Sequence, residues 1–172
     1  LESVGHLRNN PQQYAGLFAA GYDAVKSVFP KAEVIVHLDN GFDQALYDSN
    51  LDTLAKYGAR WDMIGMSLYP FWAKESGKEE NAVMTINDCV KNIHKVTKKY
   101  GCDVMIVETG YSNKWAMAGT TFDYTSVYPY SEDGQESFTK DLVTTRKKHK
   151  NVKGILWWWA DANEYGINWQ NS

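Results

Sequence analysis

Side chains capable of chemistry fall in four groups, each at the end of a short apolar run: His37, Asp39 and Asn40; Ser67, Tyr69 and Trp72; Glu108 and Tyr111; Trp158 and Asp161. Carboxylate and imidazole exchange protons, phenol donates a hydrogen bond, and indole offers a flat face to an apolar ligand such as a sugar ring. The chain holds 7 Trp and 11 Tyr, and at least half of these aromatic rings serve the core equally well. A carboxylate closing an apolar strand also serves elsewhere as a helix cap or salt-bridge partner. The polar company at the other strand ends is what makes Glu108 a site candidate.

Four repeats of one pattern position these groups. Asn10 and Pro11 open a helix in which Tyr14, Leu17, Phe18, Val25 and Val28 recur at helical spacing up to Pro30, and the β-branched run Ala32 to Leu38 follows as a buried strand. Leu46, Leu51, Leu54 and Ala55 mark a helix ending near Gly58, before a strand from Asp62 to Tyr69 stopped by Pro70. Ile86, Cys89, Val90, Ile93 and Val96 form a stripe closed by Gly101, before a strand from Asp103 to Glu108. Phe138, Leu142 and Val143 mark the last helix, before a strand from Gly154 to Trp159. Period-two alternation puts Ile35, His37 and Asp39 on one face, Gly65, Ser67 and Tyr69 on the corresponding face of the next strand, and Ile106 with Glu108.

Alternating helices and apolar strands imply an α/β fold with a parallel sheet, whose site lies at the C-terminal strand ends. An open doubly wound sheet and a closed (β/α)8 barrel both fit this order. No glycine-rich phosphate loop follows a strand, which removes the commonest reason to prefer the open sheet. A full barrel needs about 250 residues, so four units in 172 amount to half of one.

Composition narrows the function classes. With 18 basic and 21 acidic residues and no run of five or more like charges, the chain lacks the basic footprint of a nucleic-acid or anionic-membrane binder. No apolar stretch approaches the roughly 18 residues of a membrane span. Cys89 and Cys102 lie in no metal-ligand spacing and read as buried thiols rather than a bridge. The residues after Leu1 form no charged n-region or apolar h-region, so no export signal is expected in this stretch.

The stretches VIVHLDNG (34–41), DMIGMSLYPFW (62–72), VMIVETGYS (104–112) and SEDGQESF (131–138) resemble successive motifs of the arabinogalactan endo-1,4-β-galactanases, glycoside hydrolase family 53. They come in family order and cover nearly the whole chain. The resemblance implies a retaining (β/α)8 TIM-barrel glycosidase acting on β-1,4-galactan or arabinogalactan of pectic polysaccharide. It implies that residues 1–172 form one partial barrel domain carrying strands five to eight, without the N-terminal half. It further implies Glu108 as the nucleophile, and His37, Asp39, Tyr69, Trp72 and Trp158 as substrate-binding residues. Tyr69 is the expected hydrogen-bond donor to Glu108, and Trp158 the expected platform beneath the sugar. The family's acid/base is a Glu in a Gly-Asn-Glu motif; Glu2, in Leu1-Glu2-Ser3, lacks the preceding Asn and takes no such role here. Where many members read Trp-Glu-Pro after the eighth strand, this sequence has Trp158-Trp159-Ala160, which leaves the outer subsites open.

Some members hold a structural calcium. Asp123, Asp133 and Asp161 are available oxygen ligands but lack EF-hand-like spacing, so neither metal nor cofactor is expected. The resemblance implies a secreted, periplasmic or cell-surface location. Without an acid/base this stretch alone is expected to be nearly inactive. Two alternatives remain open: a non-catalytic half barrel that binds carbohydrate or assembles, and another retaining barrel glycosidase. Unpaired sheet edges lead to an expectation of self-association or pairing with an N-terminal half.

Overall fold

The computed structural model describes residues 9–70, 82–113 and 127–158. Helix α1 (Pro11–Val28) starts where Asn10 accepts a hydrogen bond from the Gln13 amide and Pro11 supplies the first turn. Strand β1 (Ile35–Leu38) is shorter than the expected run from Ala32. The reason is local: Ala32 N–H turns back onto the Phe29 carbonyl, and Val34 N–H is taken by the Asp62 carboxylate instead of a ladder partner.

Asp43 caps α2 (Gln44–Lys56) through the Ala45 and Leu46 amides, and Gly58 leaves that helix at φ +83°. Strand β2 (Met63–Leu68) is buried throughout. Helix α3 (Ala82–Tyr100) ends at Gly101, which has φ +69° and leads into β3 (Asp103–Thr109). Helix α4 (Glu132–Lys148) begins at Ser131, whose hydroxyl accepts from Gly134 N–H. Glu132 and Asp133 in its first turn, and Arg146, Lys147 and Lys148 in its last, oppose the helix dipole at both ends. Strand β4 (Val152–Trp157) begins two residues earlier than Gly154.

The sheet order is β1-β2-β3-β4, every pair parallel. This monotonic order decides between the two architectures. A doubly wound sheet reverses direction at a switch point and carries helices on both faces; steady right-handed crossovers keep them all on one face, as in a barrel. The core agrees: Val36, Ile64, Met66, Val104, Ile106 and Val152 from the strands pack in one cluster with Leu51, Leu54, Cys89, Ile93, Phe138 and Leu142 from the helices. The opposite face of the sheet is the inner wall of a half barrel.

Three expectations change. The α1 stripe is split, because Tyr14 and Phe18 pack on the core while Leu17 (57%), Val25 (37%) and Val28 (66%) are exposed. Val143 of α4 is 40% exposed. Cys89 and Cys102 are both free thiols, Cys89 buried and Cys102 only half-buried.

Candidate active site

Register determines what faces inward. His37 pairs with Gly65, Gly65 with Met105, and Ser67 with Glu108, while Met66 pairs with Ile106, so a bulge lies at Val107. Ile106 points into the helix-side core, 1% exposed, and does not share a face with Glu108 as even alternation predicts. Val107 and Glu108 both face inward. A side-chain carbon on Gly65 would stand 2.9 Å from Ile35 Cγ2 and 3.0 Å from Val107 Cγ2, which puts all three on the inner wall. Thr109, turned outward by the bulge, is fully buried and donates to the Leu68 carbonyl at 2.6 Å.

Glu108 is met from two sides. The Tyr69 hydroxyl donates to Oε1 at 3.0 Å, and the Ser67 hydroxyl lies 3.5 Å from Oε2. Burial first, then the hydrogen bond to the Glu108 carboxylate, raises the Tyr69 phenol well above its ordinary value, so it stays a donor at any working pH. His37 Nε2 lies 2.6 Å from Ser67 Oγ. His37, Ser67, Tyr69 and Glu108 are thus one connected group drawn from three strands.

The remaining expected residues are dispersed. Asp39 is exposed, and its carboxylate accepts from the Asn40 amide at 2.7 Å, supporting a turn in which Asn40 takes φ 46°. Trp158 is 40% exposed, just past β4, with its amide on the Thr109 carbonyl at 2.8 Å. Trp157 faces the other way, packed near Phe138 on the core. Trp72 lies outside the described residues, as do Trp159, Asp123 and Asp161. Tyr111 belongs to the helix side: it is 4% exposed, stacks on Phe138, and donates to the Tyr128 carbonyl. Among the described residues no group of three or more His, Cys, Asp or Glu side chains is arranged to hold a metal.

One supporting residue, Asn92, escaped the sequence reading of the site, and the role of a second, Ser67, was not assigned by it. Ser67 stood in the strand-end group, but its bridging position depends on the bulge. Asn92, fully buried on α3, donates to the Gly41 carbonyl at 2.9 Å, and Gly41 N–H donates to the Ser67 carbonyl at 2.7 Å. The loop after β1 is thereby tied to the end of β2. The signal for Asn92 was present, because position 92 falls on the same helix face as Cys89 and Val96.

The family model for glycosyl hydrolase family 53 matches residues 1–172. The chain belongs to that family. Arabinogalactan endo-beta-1,4-galactanase A of Emericella nidulans is 32% identical over 183 residues, spanning 100% of this chain and 48% of that protein. An uncharacterized protein of the bgaB 5′ region of Niallia circulans is 29% identical, over 88% of this chain and 41% of its own length. Among solved structures, a fungal beta-1,4-galactanase aligns with a TM-score of 0.72 at 23% identity, covering 87% of this chain and 45% of that one. The GH53 catalytic domain of Ignisphaera aggregans gives 0.69 at 25% identity, over 88% and 42%. This family 53 chain therefore spans about half the length of the relatives it matches, in keeping with its half-barrel sheet.

Proposed function

We propose that the chain carries the nucleophile half of a retaining endo-1,4-β-galactanase, with Glu108 as the nucleophile. The observation that carries this reading is the placement of Glu108 on the inner wall at the end of β3, its Oε1 held by Tyr69 at 3.0 Å. In a double displacement one carboxylate attacks the anomeric carbon and a second carboxyl, about 5 Å away, protonates the leaving oxygen. Donors on the first stabilise its ionised form against burial and aim the attacking oxygen. His37, Asp39, Trp72 and Trp158 are the proposed sugar contacts, the exposed indole of Trp158 serving as a stacking platform worth on the order of 1 kcal/mol.

The sequence contains no Gly-Asn-Glu triplet, and in this reading no residue of the chain takes the acid role. Until an acid is supplied, turnover is lower by roughly 10²- to 10⁴-fold. Leu156 (53% exposed) and Trp158 on the inner wall, together with the terminal positions of β1 and β4 in the sheet, favour pairing with an N-terminal half or a second copy. The names of the relatives support galactan or arabinogalactan as substrate, and family resemblance supports a role outside the cell on pectic polysaccharide.

The test is reducing-sugar release from β-1,4-galactan by the wild type and by Glu108→Gln, with intact mass and solution mass measured alongside. Release that the substitution abolishes supports the nucleophile. Release that persists in Glu108→Gln refutes it. A 19.6 kDa monomer that binds galactan and still fails to cleave it when an acid-bearing N-terminal half is added would favour the binding-module reading.

A further inference from the structure

An imidazole, a hydroxyl and a carboxylate form a line across the inner wall. His37 Nε2 is 2.6 Å from Ser67 Oγ, and Ser67 Oγ is 3.5 Å from Glu108 Oε2. The other carboxylate oxygen is taken by Tyr69. Ser67 is 3% exposed, so its hydroxyl is shielded from bulk water, whereas His37 is exposed. Among the described residues, His37 is linked through Ser67 to the Glu108 carboxylate and through that to the Tyr69 phenol, and Asp39 lies two residues further along its own strand end.

A serine hydroxyl has one proton to give, and an ionised carboxylate only accepts. If Nε2 of His37 were an acceptor, the Ser67 proton would go to the imidazole, and the Ser67 lone pairs would face the Glu108 anion. If Nε2 carries a proton, it donates to Ser67 Oγ, and the hydroxyl proton is released toward Oε2. We infer that His37 is a positioning residue that, by donating from Nε2 to Ser67, directs the Ser67 hydroxyl onto Glu108 as its second donor. This rests on the reading of Glu108 as the reacting carboxylate. The short link lies on the histidine side and the long one on the glutamate side. Such catalytic hydrogen bonds tighten as the reacting geometry forms. A further consequence is that Nδ1 of neutral His37 becomes an acceptor, suited to a sugar hydroxyl rather than to a carbonyl or carboxylate group.

The test uses long-range ¹H–¹⁵N correlation and imidazole proton exchange on the full chain, at a pH where His37 is neutral. The wild type is expected to show Nε2 protonated, with an exchange-protected Hε2 that has a through-space contact to the Ser67 methylene protons. Ser67→Ala is expected to lose that protection by tenfold or more. Glu108→Leu, which removes the anion that orients the hydroxyl, is expected to reduce it while leaving Ser67 in place. An Nδ1-protonated ring in the wild type overturns the inference, as does an Hε2 that exchanges equally fast in the wild type and in Ser67→Ala. Covalent trapping of Glu108 by a mechanism-based galactoside, in the assembly that turns over galactan, is read separately. A protected Hε2 without labelling sinks the nucleophile and leaves the hydrogen-bond relay standing; labelling with an Nδ1-protonated ring does the reverse.

Discussion

Replacing Gly65 with Ala tests whether the inner wall beneath Glu108 is as tightly built as its contacts indicate. The new methyl would lie 2.9 Å from Ile35 Cγ2 and 3.0 and 3.2 Å from the two methyls of Val107, where carbon pairs are comfortable at about 3.5–4.0 Å. Backbone conformation adds no penalty, because Gly65 is not among the positive-φ glycines. Stiffening the unfolded chain favours Ala by about 0.4–1 kcal/mol, while overpacking costs about 1–3 kcal/mol, so destabilisation of about 0.5–2 kcal/mol wins. For a chain of this size that lowers Tm by about 1–8 °C. Thermal unfolding followed by circular dichroism measures the loss, and Val107→Ala supplies the control. With Val107 cut back, two of the three close contacts vanish, and the double variant should be more stable than the sum of the single effects by about 1 kcal/mol. Strict additivity, or a Gly65→Ala protein as stable as the wild type, would refute the packing argument. The outcome bears on the site because Val107 and Glu108 stand side by side in the bulge, and a wall that pushes Val107 away also shifts Glu108 relative to Tyr69.

Tyr69→Phe removes the donor 3.0 Å from Oε1; a hydrogen bond to a charged group is worth about 1.5–3 kcal/mol, so kcat/KM on β-1,4-galactan should fall about 10- to 100-fold in the cleaving assembly, and an unchanged value would remove Tyr69 from the chemistry. Burial pushes the Asp62 carboxyl up, but hydrogen bonds from Lys26, the Val34 amide and Tyr22 outweigh it and hold the group below 3.8. A depressed folded value means stability that is present above the unfolded pKa and lost as pH falls through the folded one, so the Tm of the wild type should drop across acidic pH more steeply than that of Asp62→Asn; parallel curves would contradict this. Asn92→Ala leaves the buried Gly41 carbonyl without its donor and should cost about 1–3 kcal/mol in chemical denaturation, with an unchanged midpoint counting against the loop tie.

Much of the fold is legible in the sequence because its punctuation is local. Pro11 starts a helix, Gly58 and Gly101 end two others at positive φ, and the apolar runs between them are too short to be helices. What was not legible depends on neighbours. The expected first residues of β1, Ala32 to Val34, fall outside the strand because the Asp62 carboxylate, distant in sequence, captures the Val34 amide. Leu17, Val25 and Val28 read as core but stand exposed, because β1 is a terminal strand of the sheet and a helix beside it has a partner on one side only.

The site shows the same division more sharply. Glu108 was recognisable as a carboxylate closing an apolar strand, yet which way it faces is set by register and not by composition. Without the bulge, Val107 would face inward and Glu108 outward, among Met66, Phe138 and Leu142, each at most 1% exposed. A carboxylate there would have no polar partner, and leaving an ionised group so placed costs several kcal/mol. One extra residue in β3 exchanges that position for one beside two hydroxyls, and moves Thr109 to the core side, where its hydroxyl is satisfied by the Leu68 carbonyl. The irregularity in the ladder and the chemistry at its end thus have one origin. The strand loses even pairing at Val107, and in return the Glu108 carboxylate stands on the inner wall beside the Ser67 and Tyr69 hydroxyls.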